Sequence, residues 1–188
     1  MKNTNVKILA ISGSLRTSSS NTNVLRAIAT IAKPNISIEI FEQLGALPYF
    51  SPDIDTEDAH AAVQIFRNAI QKADAVIICT PEYAFGAPGM LKNALDWTVS
   101  SGSFSRKPLA LLSASPLASG ADKAHASLLL TFKALDAIIP DACKVIIPIV
   151  YKKINASAEI LDESLRTELE KALDALIKCI YENKMQEE

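Results

Sequence analysis

Nine consecutive residues, Gly13-Ser14-Leu15-Arg16-Thr17-Ser18-Ser19-Ser20-Asn21, concentrate the anion-binding chemistry of this chain. They follow the apolar run Ile8-Leu9-Ala10-Ile11 and precede Val24, Leu25, Ile28 and Ile31, which recur at helical spacing. The stretch therefore reads as a loop from a buried strand into a helix N-terminus, where unpaired N–H groups and the positive end of the helix dipole favour an anion. Ser14, Thr17, Ser18, Ser19 and Ser20 offer hydroxyls that donate without a full charge, and Arg16 adds a planar guanidinium fork. No Lys completes a Walker loop, and Leu15 stands where a dinucleotide fingerprint needs its second Gly. A monophosphate ester fits this loop; the alternative is a solvated Ser-rich turn that only caps a helix.

The elements that must position this loop alternate along the chain. Residues 7–12 form a strand that is apolar on both sides, as a central parallel strand should be. A helix over about 21–33 follows, ended by Pro34-Asn35, and then an alternating strand over 36–41 that belongs at a sheet edge. Residues 42–56 form a long apolar loop, either a partner surface or site wall, or a loop folded onto its own core. Helices are expected over about 57–72, 88–100 and 123–138 and from about 162 onward; strands are expected over 75–79, 109–113 and 143–150. Residues 183–188 read as a frayed tail. Five strand–helix alternations give an α/β fold: three layers, a doubly wound five-stranded parallel sheet, flavodoxin-like strand order 2-1-3-4-5. The ligand of such a sheet lies at the carboxyl ends of strands one and three, where the winding reverses. No linker or repeat divides the chain, so residues 1–188 are expected to form one domain.

Two further loops converge on that point. Pro81-Glu82-Tyr83-Ala84-Phe85-Gly86-Ala87-Pro88-Gly89 leaves strand three, stiff at its prolines and bare at its glycines. It suits main-chain pairing to the edge of a flat heteroaromatic ring, with Tyr83 and Phe85 as walls; FMN is the common monophosphate ligand of this kind in a doubly wound sheet. The alternative is an ordinary Pro/Gly turn. Glu82 is expected to point to solvent while its backbone does the binding. Residues 113–122 form the third loop. Within the third helix, Met90 and Trp97 lie off the main apolar stripe, which suggests a subunit interface, or packing beneath the 42–56 loop.

Composition limits the alternatives. The chain has 188 residues, 49% hydrophobic and 21% charged, enough for a substantial core. A net charge of −2 argues against nucleic acid as a partner, and against the strongly acidic docking face of an electron carrier. Cys79, Cys143 and Cys179 are far apart, which suits a reducing cytoplasm and no disulfide or zinc framework. Cys79 reads as a small core residue ahead of a redox group. His60 and His125 lie in separate expected helices without metal-ligand spacing. The early apolar run stops at Ser12-Gly13, too short for a signal peptide, and no run approaches a membrane span.

The residues Ser14-Leu15-Arg16 with Ser19 and Asn21, then Pro81-Glu82-Tyr83, then Pro88-Gly89-Met90-Leu91-Lys92-Asn93-Ala94-Leu95-Asp96-Trp97, resemble the NADPH-dependent FMN reductase family. The resemblance runs from strand one through helix four. It implies that Ser14, Arg16, Ser19 and Asn21 bind the FMN phosphate, with Leu15, Ser20 and their neighbours lending backbone. It also implies that Pro81, Glu82, Tyr83 and Ala84 cradle the flavin ring and that Ser115 lies near it. NADPH or NADH would be the co-substrate, a flavin, quinone, azo compound or metal oxyanion the acceptor, and the assembly a homodimer or homotetramer. No catalytic side chain and no metal are implied, because the cofactor carries the chemistry. An electron carrier, or an FMN-binding regulatory protein, is the alternative. The chain departs from the family pattern at Ala84, where Asn is usual, at Ala121, where Gly is usual, and at Lys123, where Arg is usual.

Overall fold

The computed structural model describes residues 5–56 and 58–187. The strands are β1 (Val6–Ser12), β2 (Ile36–Ile40), β3 (Ala75–Thr80), β4 (Leu109–Ala114) and β5 (Lys144–Ile147). The α-helices are α1 (Ser20–Ile31), α2 (Ala61–Lys72), α3 (Gly89–Asp96), α4 (Asp122–Ala134) and α5 (Glu163–Glu187). All strand pairs are parallel, in the order β2-β1-β3-β4-β5. The expected sheet topology is the observed one.

Alternation along the strands builds a core on each face. On one face Val6, Ile8, Ala10, Ala75, Ile77, Ala110 and Leu112 pack against Val24, Leu25 and Ile28 of α1 and Leu165, Leu169, Leu173 and Leu176 of α5. On the other, Leu9, Ile11, Val76, Ile78, Leu109 and Leu111 meet Val63, Phe66 and Ile70 of α2, Leu91 and Leu95 of α3, and Leu128 and Phe132 of α4. Each fully buried Leu, Ile, Val or Phe contributes about 1.5–3 kcal/mol. The alternating β2 is an edge strand, as its pattern requires: Ser37 and Glu39 are exposed beside a groove of about 1000 Å³ running between β2 and α2.

Several element ends differ from the sequence expectation, each for a local reason. Helix α2 starts at Ala61, capped by the His60 side chain; the expected start at Glu57 lies outside the described residues. Helix α3 stops at Asp96, and a run of turns carries the chain to 106 through the Ser-Gly-rich segment 100–103. Helix α4 ends at Ala134 because Asp136 turns left-handed (φ 58°) and Ile138 pairs with Pro108. Strand β5 ends at Ile147, since Pro148 has no N–H to give and Ile149 is left-handed at φ 51°. The tail does not fray before Glu187. Lys184 pairs with Asp74 at 2.6 Å, and Arg106 donates to Asn183 and Gln186, so the last turns of α5 are tied to the body. Glu188 lies outside the described residues.

The 42–56 segment folds onto its own core. Leu44 and Leu47 are buried. The Phe50 N–H donates to Asn93 Oδ1 at 2.8 Å, and the Asn93 amide donates to the Pro48 carbonyl at 2.9 Å. Trp97 is fully buried beneath this segment: its Nε1–H donates to the Pro48 carbonyl at 2.9 Å and its ring meets Phe50 edge-on at 5.1 Å. Trp97 is therefore a packing residue, and the subunit-contact reading of that side chain is corrected. Arg67 completes the fastening, donating to Asp55 at 2.6 Å and to the Trp97 carbonyl at 2.7 Å.

Candidate functional site

Loop 1 (13–19) leaves β1 and enters α1 at the open N-terminus anticipated for it. Gly13 sits where only glycine fits without a shift, since an added Cβ would come within 2.9 Å of Thr80 Oγ1 and 3.2 Å of Thr80 Cα. Its N–H donates to the Cys79 carbonyl at 2.8 Å, fastening loop 1 to the end of β3. Ser14 is buried and its Oγ accepts from the Arg16 N–H. Ser19 is the N-cap of α1: its Oγ accepts from the Thr22 N–H at 3.3 Å and keeps its own proton free for a ligand. The N–H groups of Thr17, Ser18, Ser19, Ser20 and Asn21 have no acceptor among the described residues, and the exposed Arg16 guanidinium has no partner among them. Leu15 is 58% exposed and leans on Gly45.

Asn21 is the exception within the motif. It is 5% exposed and its amide faces inward: Nδ2–H donates to the Ala114 carbonyl at 3.3 Å, and Oδ1 accepts from Cys79 Sγ at 3.2 Å. Burial pushes the Cys79 thiol far above its ordinary pKa, so it stays protonated. Beside it, Thr22 Oγ1 donates to Ser12 Oγ at 2.9 Å.

Loop 2 (81–88) is a tight hairpin. Tyr83 and Gly86 exchange both backbone hydrogen bonds at 3.0 Å, and Ala84 and Phe85 between them lie at φ 50° and 61°. Positive φ at both central residues is the type I′ geometry that favours Asn-Gly. The departure at Ala84 is therefore first a matter of backbone conformation. Tyr83 and Phe85 project, 53% and 80% exposed. Glu82 does not point freely to solvent, which corrects that expectation. Its Oε2 accepts from the N–H groups of Lys123 and Ala124, both at 2.9 Å. The carboxylate is the N-terminal cap of α4, whose own cap residue, Ala121, supplies no side-chain acceptor. Pro81, half-buried, accepts from Thr80 Oγ1 through its carbonyl.

Loop 3 (115–121) is held from beneath. Ser115 is buried; its Oγ accepts from the Leu117 N–H, its N–H donates to Ile147, and its carbonyl accepts from Val150. Gly120 is left-handed at φ 63°, and an added Cβ would fall 2.5 Å from Ile146 Cγ2. Ala121, where the family pattern has Gly, is also left-handed at φ 68°. His125 in the first turn of α4 is 3% exposed with Nδ1 unpartnered; burial and then the Lys144 charge push its pKa down, so it is neutral. His60 caps α2. No group of three or more His, Cys, Asp or Glu among the described residues could hold a metal.

The structure thus brings loops 1, 2 and 3 to one end of the sheet, over β1, β3 and β4. Ser14, Arg16, Ser19, Ser20 and the Asn21 N–H stand at the start of α1, while the Asn21 side-chain amide is bonded to Cys79 and Ala114 and the Glu82 carboxylate to α4. Sequence reasoning missed the Cys79–Asn21 contact and the support from 147–150, neither of which has a local signal; the turn requirement at Gly120 was visible as a glycine but not its tight packing. The residues present fit a phosphomonoester with a flat apolar group: among the described residues the Arg16 guanidinium and the N–H groups of 17–21 have no partner, and loop 2, at the same end of the sheet, carries the exposed rings of Tyr83 and Phe85.

Fold and site together define a flavodoxin-like cofactor-binding protein. The model of the NADPH-dependent FMN reductase family matches residues 6–152, and the chain belongs to that family. An NAD(P)H-dependent FMN reductase of Pseudomonas aeruginosa is 34% identical over 173 residues, covering 91% of this chain and 93% of that one. A 2-hydroxy-1,4-benzoquinone reductase of a Burkholderia species is 33% identical, covering 90% and 93%. The solved structure of FerB, an NAD(P)H:(acceptor) oxidoreductase of Paracoccus denitrificans, superposes with a TM-score of 0.85 at 27% identity, covering 95% and 98%. The protein is an FMN-dependent oxidoreductase that takes electrons from NAD(P)H.

Proposed function

We propose that this chain is a single-domain reductase that passes electrons from NAD(P)H through FMN to a small planar acceptor of the quinone type. The observation that carries the reading is that, among the described residues, neither the Arg16 guanidinium nor the N–H groups of residues 17–21 have a partner. Arg16 pairs with the terminal phosphate, the α1 N-terminus solvates it, and the hydroxyls of Ser14, Ser19 and Ser20 donate to its oxygens. Bound FMN supplies two-electron exchange between NAD(P)H and the acceptor. The main chain of Pro81, Glu82, Tyr83 and Ala84 borders the ring, with Ser115 across from it. Leu15, Tyr83, Phe85 and Leu117, all more than half exposed, give the mouth an apolar rim that favours a flat apolar acceptor over a hydrated ion. The likeness to a benzoquinone reductase along most of both chains supports the same acceptor class. No helix among the described residues is long and apolar enough to cross a membrane. A cytoplasmic location and a homodimeric or homotetrameric assembly are parts of the same proposal.

Titration of FMN into the purified protein, with anaerobic addition of NADPH, tests the reading. The parent binds FMN and bleaches it on reduction. Arg16→Ala weakens FMN about tenfold to a hundredfold and leaves the melting temperature unchanged, because the exposed guanidinium has no hydrogen-bond or ion-pair partner among the described residues. FMN affinity equal to the parent's in that variant overturns the assignment of the cradle.

A further inference from the structure

The amide of Asn21 and the thiol of Cys79 lie beneath the phosphate cradle. Their hydrogen bonds span three elements: Cys79 at the end of β3, Asn21 in the first turn of α1, and Ala114 at the end of β4. The Ala114 carbonyl can only accept, so it fixes Nδ2 toward β4 and leaves Oδ1 toward the thiol. The thiol therefore donates, and both partners of the amide are satisfied in a setting where Cys79 is fully buried and Asn21 nearly so. The neighbouring Thr22–Ser12 bond and the Gly13 N–H to Cys79 carbonyl bond pin the same turn. The inner side of the α1 N-terminus is thus bonded to the sheet, and its outer side carries the free N–H groups.

We propose that the side chains of Asn21 and Cys79 form a buried latch that aims the α1 N-terminus at the cofactor phosphate; both side chains are positioning groups, and the Asn21 amide side chain is no phosphate ligand, while its backbone N–H stays part of the cradle. The proposal rests on the FMN reading above and deepens it. A latch of this kind acts on the phosphate alone. Its loss lowers the advantage of FMN over riboflavin, which has the same ring and no phosphate, and leaves riboflavin binding as it was.

Fluorescence titrations of FMN and riboflavin into Cys79→Ser, Cys79→Ala and Asn21→Asp, with melting temperatures measured in parallel, test this. Cys79→Ser keeps a donor and holds FMN within about twofold of the parent, whereas Cys79→Ala weakens FMN about threefold to tenfold with riboflavin unmoved. In Asn21→Asp, the neutral acid can still donate to Ala114 and the carboxylate cannot. FMN binding in that variant therefore weakens as pH rises through the carboxyl pKa, relative to the parent, whose own profile follows the phosphate's ionisation. Cys79→Ala with parental FMN affinity, or with equal losses of FMN and riboflavin, overturns the latch, and so does an Asn21→Asp whose pH profile runs parallel to the parent's. Should Asn21→Asp fail to fold, the Cys79 pair alone decides. A parent that binds neither flavin overturns the cofactor reading itself, and with it the latch; parental binding of FMN separates the two failures.

Discussion

At the scale of single residues, the site is defined by backbone conformations that its side chains do not favour. Ala84 and Phe85 occupy the two left-handed positions of a type I′ turn, and the bulky Phe85 is the more strained of the two. Phe85→Gly relieves that strain, at the expense of a freer unfolded chain and little lost burial. It is expected to stabilise the fold by about 0.5–1 kcal/mol, a rise of about 2 °C in Tm on thermal unfolding. The same variant removes the most exposed ring of the rim, so KM for a quinone rises while turnover with a small inorganic oxidant stays level. Gly120 is the opposite case. Gly120→Ala puts a methyl into Ile146 and the 147–148 backbone at positive φ, and loses at least about 2 kcal/mol by denaturant unfolding. The related left-handed position at Ala121 tolerates its methyl group at a cost in strain.

Among the elements, α4 depends on a neighbour for its start. Its two first-turn N–H groups are capped by Glu82 from loop 2, so Glu82→Ala lowers stability by about 0.5–2 kcal/mol, measured as a shift in denaturation midpoint. This cap also shows what the sequence carries and what it withholds. Strand order followed from apolar runs such as 75–79 and from the alternation of 36–41, because burial on two faces or one leaves a periodic trace. The cradle followed from the hydroxyl-rich residues before α1, because capping and anion binding are local. The Glu82 cap joins residues 41 and 42 positions apart, and the Cys79 contact with Asn21 joins residues 58 apart. Such contacts are set by three-dimensional proximity and leave no spacing to read. For the same reason Trp97, an apolar residue off the main helix stripe, left a subunit interface and packing beneath the 42–56 loop both open, and the bond to the Pro48 carbonyl decides for the second.

For the molecule as a whole, two carboxylates fasten outlying segments to the sheet. Asp55 holds the 42–56 segment to Arg67 and Ser100, and Asp74 holds the end of α5 through Lys184 and accepts from the Lys7 N–H. Burial works to raise both carboxyls, but hydrogen bonds from Ser100 and Arg67 to Asp55, and from Lys184 and Lys7 to Asp74, outweigh it, so both lie below the ordinary value of 3.8. A folded value below the unfolded one gives stability that is complete above the ordinary value and lost as pH falls through the folded one. Unfolding free energy measured between about pH 6 and pH 2.5 is expected to fall with acid in the parent. Asp55→Asn and Asp74→Asn are each less stable at pH 6 and show a shallower acid slope. The Glu82 carboxylate has one more effect at this scale. Of the two helix starts that loops 1 and 3 present to the pocket, it neutralises that of α4 and leaves that of α1 vacant. A guest with one charged end and one flat neutral end consequently has a single way round to enter, selected by repulsion at the wrong berth as much as by attraction at the right one.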